Sequence, residues 1–153
     1  MKTVYIQTYD NKGITLESAN YIEKRFSTDY IKNVITKNPD QLIIAYCYKN
    51  PIGVAEILFE SQCPIRKIPV PELDKLYVLE RFYGKGIGFG LMKEVEKTVL
   101  SKGYTELNMV VYSKNARGIN FYQRQGYVSI GQIDYPMEHN TYKVLVMNKR
   151  LTE

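Results

Sequence analysis

A chain of 153 residues with 44% hydrophobic and 24% charged side chains has the size and composition of one soluble domain. At that length folding buries roughly 70% of the unfolded surface without help from a disulfide or metal. The formal net charge of +5 comes from lysines and arginines spread along the chain without a basic run, and the 14 tyrosines gather in no RNP-like cluster, so neither nucleic acid nor an acidic membrane is an expected partner.

Two cysteines, one histidine and no CxxC speak against a zinc site or a disulfide framework. The opening MKTVYIQTYD has no apolar core of a secretory signal, and no apolar run reaches the roughly 18 residues of a membrane span. The expected location is the cytoplasm.

In chain order, Leu16, Ala19, Ile22 and Phe26 recur at helical spacing behind Thr15, a predicted N-cap. A second short helix is predicted from Asp29 to Thr36, stopped by Asn38-Pro39-Asp40. Leu42 to Tyr48 and Ile52 to Phe59 read as two strands joined at Lys49-Asn50-Pro51. Cys63 to Pro71, with Pro64, Pro69 and Pro71, predicts a stiff exposed loop without regular structure. Glu72 to Leu79 reads as a buried strand. The turn Gly84 to Gly88 then leads into a helix whose apolar stripe is Ile87, Leu91, Val95 and Val99, and Gly103 ends it in a left-handed conformation. The remainder predicts a strand (Leu107 to Tyr112), a short helix (Asn115 to Gln125) and two strands (Tyr127 to Ile133 and Tyr142 to Met147). Strand–turn–helix–strand in the middle implies a right-handed parallel crossover between antiparallel hairpins. The fold class is therefore mixed α/β (α+β), without internal repeats.

Gly84-Lys85-Gly86-Ile87-Gly88 is the most informative stretch. Glycines turn successive N–H groups toward one point and let the backbone approach a ligand, while a helix N-terminus adds unpaired donors. A pyrophosphate suits that geometry. The Walker pattern is absent, and GxGxxG fails because Phe89 and Leu91 occupy the places where its last glycine would fall.

With Leu76-Tyr77-Val78 before this turn, and Asn115 through Phe121-Tyr122 to Gly126-Tyr127 after it, the chain resembles the GNAT N-acetyltransferases. Their usual signature is a strand, R/Q-x-x-G-x-G/A, then N-x-x-A-x-x-F-Y-x-x-x-G-F. The resemblance runs with gaps from Leu42 to the C-terminus. It departs at Tyr83, where the family has Arg or Gln and Arg81 fits only in a register shifted by two. It departs again at Gly118, where the family prefers alanine. Glycine within a helix costs about 1 kcal/mol against alanine, and close packing on the cofactor is the expected compensation.

The resemblance implies one N-acetyltransferase domain over residues 1–153. Its fold would be a central mixed, mostly antiparallel sheet flanked by helices, with a parallel βαβ unit binding acetyl-CoA. The implied reaction is direct acetyl transfer to a primary amine in a ternary complex, without a metal. The amine is a small molecule such as a polyamine, or a peptide or protein amine, and a homodimer is an assembly common in the family. The strand Leu76, Tyr77 and Val78 would receive pantetheine, with the Val78 N–H polarising the thioester carbonyl. Tyr83, Gly84, Lys85, Gly86, Ile87 and Gly88 would hold the pyrophosphate, joined by Asn115, Arg117 and Tyr122.

An alkylammonium of pKa near 10.4 must lose a proton, and Glu72 or Asp74, in even spacing with Val78 along the strand, are the candidate bases. Tyr122 matches the family's tyrosine that protonates the departing thiolate. His139 reads as an exposed loop residue. A non-catalytic acyl-CoA sensor on the same fold is the alternative, against which the retained Tyr122 and Asn115 weigh.

Overall fold

The computed structural model describes residues 1–10 and 13–151. Its helices are α1 (Lys2–Tyr9), α2 (Leu16–Arg25), α3 (Thr28–Lys37), α4 (Ile87–Ser101) and α5 (Ala116–Arg124). Its strands are β1 (Leu42–Cys47), β2 (Asn50–Leu58), β3 (Glu72–Val78), β4 (Glu106–Tyr112), β5 (Val128–Pro136) and β6 (Thr141–Arg150). The strands form one six-stranded sheet in the order β1-β2-β3-β4-β6-β5. Pairing is antiparallel for β1 with β2, β4 with β6 and β5 with β6. It is parallel for β3 with β4, at Glu72↔Asn108 and Leu73↔Met109. The expected mixed sheet, with α4 as the crossover between its parallel strands, is what the chain builds.

Local chemistry sets most boundaries. Thr15 caps α2 through a capping box, its Oγ1 accepting the Ser18 N–H at 3.1 Å while Ser18 Oγ accepts the Thr15 N–H at 3.0 Å. Gly103 takes φ +84° after α4. Helix α1 was not foreseen. KTVYIQTY has little amphipathic patterning and no side-chain cap, so packing holds it. Val4 and Tyr5 are buried, and the Tyr5 ring stacks on that of Tyr21 at 5.1 Å, with Tyr9 tilted against it at 4.9 Å.

The Pro-rich segment is less exposed than expected. It folds back on itself, with the Cys63 N–H donating to the Ile68 carbonyl at 2.9 Å. Cys63 and Val70 are buried with Val146, and Ile130 and Ile133 pack against them. Apolar side chains at the ends of the loop tie it down where proline content alone suggested solvent.

By internal contacts the chain divides into two compact units, residues 1–56 with 75–92, and residues 57–74 with 93–153. In the first, α1 and α2 share a core of Tyr5, Ile22 and Phe26, with Met1, Ile6, Tyr21 and Tyr77 packed on it. Beside that core lies a buried ionic cluster. Glu56 on β2 is fully buried and accepts from Lys75 Nζ on β3 at 2.6 Å and from the Tyr30 hydroxyl on α3. The Lys75 ammonium also lies 5.6 Å from the centre of the Phe26 ring and 5.7 Å from that of Tyr30.

In the second unit a polar network ties the Pro-rich loop and β6 to β4. Arg66 pairs with Glu106, and Asn148 donates to Asn108 Oδ1 at 2.8 Å and to Glu106 at 3.2 Å. The Arg66 guanidinium holds the Glu106 carboxyl below the usual carboxylate range.

Removing one partner of a buried ion pair strands the other charge, which typically costs about 3–5 kcal/mol. Lys75→Met is therefore expected to lower stability in urea denaturation by that order. Combining it with Glu56→Gln is expected to recover most of the loss, because the amide oxygen introduced by Glu56→Gln still accepts from Tyr30. A single-variant loss within about 1 kcal/mol, the range of an exposed pair, would show that this cluster does not hold the sheet to α3.

Candidate functional site

Strand β3 sorts its side chains by parity. Leu73 and Lys75 are buried on one face, and Tyr77 on that face meets the Phe26 ring at 6.2 Å. Glu72, Asp74 and Leu76 are half-buried and share the other face with the buried Val78. The backbone is sorted as well. The Leu79 N–H donates to the Ile52 carbonyl of β2 at 2.9 Å, and the Tyr77 carbonyl lies 3.1 Å from where a Cβ on Gly53 would stand. Odd-numbered residues at this end of β3 therefore face β2, and alternation turns the N–H and C=O groups of Leu76 and Val78 to the opposite edge.

Gly53 also fixes the start of α4. A Cβ there would stand 3.1 Å from Leu91 Cδ1 and 3.4 Å from Ile87 Cγ2, so the glycine lets the first turn of the helix lie close on β2. Ahead of that turn the chain makes a short 3₁₀ turn at Glu80–Phe82. It then passes through Gly84 at φ +71° and Gly86 at φ +78°, values that L side chains rarely adopt. A Cβ on Gly84, Gly86 or Gly90 would meet nothing within 4 Å. The Gly90 N–H donates to the Gly86 carbonyl at 2.9 Å, and the amides ahead of Gly90 are the N-terminal donors that an α-helix cannot satisfy internally.

Two cations flank this turn. Arg81 and Lys85 lie 5.1 and 5.3 Å from the centre of the Phe82 ring. Open space, N–H donors and positive charge together make a cradle that fits a pyrophosphate. Tyr83 sits half-buried at the mouth of the turn, its N–H donating to the Glu80 carbonyl at 2.9 Å. Cations thus stand two residues before and two residues after Tyr83, the position where the family carries Arg or Gln, and both lie near the Phe82 ring.

In the second unit Asn115 is the N-cap of α5, its Oδ1 accepting the Gly118 N–H at 3.0 Å. A Cβ at 118 would stand 2.7 Å from Asn115 Nδ2, so an alanine there would require the end of the capping side chain to shift. Tyr122 is half-buried, with Phe121 at 5.3 Å and Tyr127 at 6.3 Å, both edge-on. The Glu72 carboxylate accepts from the Ser61 hydroxyl at 2.9 Å. Arg117 and Lys114 are exposed, as is His139 beside Glu138.

Sequence reading missed two features. One is the Tyr30–Glu56–Lys75 cluster, signalled only by a lysine on the apolar face of β3. The other is the tether on Tyr127, whose hydroxyl donates to Glu96 on α4 at 3.2 Å. Among the described residues no group of three or more His, Cys, Asp or Glu side chains is placed to hold a metal ion, and no helix is long and apolar enough to cross a membrane.

Comparison with known proteins agrees with this geometry. The family model described as the acetyltransferase (GNAT) family matches residues 9–127. An uncharacterised N-acetyltransferase of Archaeoglobus fulgidus is 27% identical over 122 residues, 80% of either chain. The spermidine N(1)-acetyltransferase of Thermoplasma acidophilum is 27% identical over 112 residues, 71% of this chain and 65% of that protein. In fold, the chain is similar to the crystal structure of the PaiA N-acetyltransferase of Thermoplasma acidophilum in complex with coenzyme A, with a TM-score of 0.70 at 22% identity over 97% of this chain and 87% of that one. It is also similar to a ribosomal-protein-alanine N-acetyltransferase of Brucella melitensis, with a TM-score of 0.72 at 19% identity over 98% and 91% of the two chains. With its family signature on β3, the glycine turn and α5, and a family match over most of its length, this chain belongs to the acetyltransferase (GNAT) family and is an N-acetyltransferase.

Proposed function

We propose that this protein transfers an acetyl group from acetyl-CoA to a primary amine by direct attack in a ternary complex, with residues 1–153 acting as one catalytic domain in the cytoplasm. The observation that carries this reading is the glycine turn, where left-handed glycines, open space and the first amides of α4 coincide directly after β3. Gly84, Gly86, Ile87 and Gly88 offer amides to the pyrophosphate, and Arg81 and Lys85 add charge. Leu76 and Val78 offer backbone groups on the edge of β3 turned away from β2, where a pantetheine amide can pair as an added strand would. A Val78 N–H donated to the thioester carbonyl supports the charge that builds there during attack.

The acceptor is a small alkylamine or polyamine, or a peptide amine. The spermidine N(1)-acetyltransferase relative supports a polyamine within this range. At neutral pH only about one alkylamine in a thousand is unprotonated, so the amine needs a proton acceptor. Glu72 or Asp74, on one face of β3, takes that role through a chain of water, since both lie several residues along the strand from Val78. A CoA thiol of pKa about 8.5 leaves more readily when a phenol of pKa about 10 protonates it, and Tyr122 is the donor. Asn115 holds the first turn of α5 and so the helix that carries Tyr122, while Arg117 reaches the CoA phosphates from the exposed side.

The test is release of free CoA from acetyl-CoA across polyamines, amino acids, peptides and aminoglycosides. At least one amine is expected to outpace background hydrolysis clearly. Silence across the panel, with tight acetyl-CoA binding, would favour a sensor. Tyr122→Phe is expected to lower turnover by about 10²-fold while acetyl-CoA affinity stays near normal, and an unchanged turnover number would remove the acid role. A carboxylate base works only above its own pKa, so kcat/KM rises with pH through that value. Glu72→Gln is expected to lower the rate and abolish that acidic inflection. An unaltered profile would pass the role to Asp74 or to water.

A further inference from the structure

The hydroxyl of Tyr127 is an addition to the family pattern, which places phenylalanine after the glycine that follows α5. It is well used. Tyr127 is 1% exposed, its hydroxyl donates to Glu96 Oε1 at 3.2 Å, and Lys149 Nζ reaches the same oxygen at 2.6 Å. The Lys149 ammonium also lies 5.4 Å from the centre of the Tyr127 ring. Burial first, and the Glu96 carboxylate second, push the Tyr127 phenol far above its ordinary range, so it remains a hydrogen-bond donor at any physiological pH. The ring is thus fixed from two sides, by α4 through Glu96 and by β6 through Lys149.

The fixed ring is the one that Tyr122 packs on. The two rings meet edge-on, 6.3 Å apart at 70°. The Tyr127 N–H donates to the Tyr122 carbonyl at 3.1 Å, closing the end of α5. Phe121 also meets the Tyr122 ring edge-on, at 5.3 Å. The charged groups that face Tyr127 from the elements packed on it are Glu96 and Lys149, which neutralise each other. The cluster therefore orients without adding net charge.

We infer that Tyr127 is a positioning residue for Tyr122: tethered by Glu96 and Lys149, it forms the wall that sets the plane in which the Tyr122 phenol meets the departing sulfur. This rests on Tyr122 being the proton donor. No covalent step is added. What changes is the fraction of time the phenol points where the proton is needed, so the effect belongs in turnover and not in donor binding.

The experiment is a double-mutant cycle on turnover, using acetyl-CoA with the amine acetylated fastest in the panel, for Tyr127→Phe, Tyr122→Phe and the double variant. Acetyl-CoA affinity and thermal midpoint are measured alongside. Tyr127→Phe keeps the ring and loses only the tether. It is expected to lower turnover by about fivefold in the parent, to leave acetyl-CoA affinity unchanged, and to cost nothing further once Tyr122 is phenylalanine. An equal loss in both backgrounds would overturn the inference and leave Tyr127 a packing residue. So would no loss in the parent while Tyr122→Phe itself is slow. If Tyr122→Phe is as active as the parent, it is the acid role that falls, and the inference falls with it.

Discussion

Three strands of constraint meet at one carboxylate. Glu56 is fully buried on β2, and it is tolerable there only because Lys75 from β3 and the Tyr30 hydroxyl from α3 both donate to it. An uncompensated charge in that place would cost more than most single interactions in a domain contribute. The cluster therefore dictates which residues of β2 and β3 lie opposite each other and which face of α3 turns inward. With Lys75 held on the face of Phe26 and Tyr30, the alternation of β3 leaves Glu72, Asp74, Leu76 and Val78 no choice but the other face. The same alternation, read on the backbone, commits the amides of Leu76 and Val78 to the edge away from β2. A structural ion pair thus lies on the face of β3 opposite the groups proposed above for the chemistry.

A second dependence links packing to the anion cradle. The glycine turn works only if α4 begins where its first amides face open space. That starting point is set by contact of Ile87 and Leu91 with the backbone of β2 at Gly53. The stripe Leu91, Val95 and Val99 then buries the helix along its length. The helix end that carries partial positive charge is held by the side chains of Ile87 and Leu91, which leaves the backbone donors of the first turn to a ligand. Arg81 before the turn and Lys85 within it, both near the Phe82 ring, enrich this segment in positive charge. In the proposed reading, that charge stands in for the Arg or Gln that tyrosine replaces at position 83.

Helix α5 shows how departures from a family pattern are absorbed locally. Glycine at 118 forgoes alanine's helix propensity, about 1 kcal/mol, and lies against the Asn115 side chain that caps the helix. At the other end, the change of the usual phenylalanine to Tyr127 introduces a buried hydroxyl that would be costly unpartnered, and Glu96 with Lys149 supply the partner. In each case one nonconforming residue is matched by a neighbour on the same element or on one packed against it.

The primary structure by itself determined the element order from Leu16 onward, the caps at Thr15 and Gly103, the parallel crossover and the family, because these are recorded in short-range periodicity, turn residues and motif spacing. The same motif spacing named Glu72, Asp74, Val78, the glycine turn and Tyr122 as candidates, and their roles are part of the proposal. Only the tertiary structure decided that α1 is a helix, because its stability lies in Tyr5 packing on Tyr21 and Phe26 and not in its own pattern. It alone decided that the ends of the Pro-rich loop are buried, that Asn115 caps α5 at Gly118, and that Lys75 and Tyr127 belong to charged clusters. Those clusters join side chains 19, 31 and 53 residues apart along the chain, and no local pattern encodes which distant side chain will neutralise a buried charge.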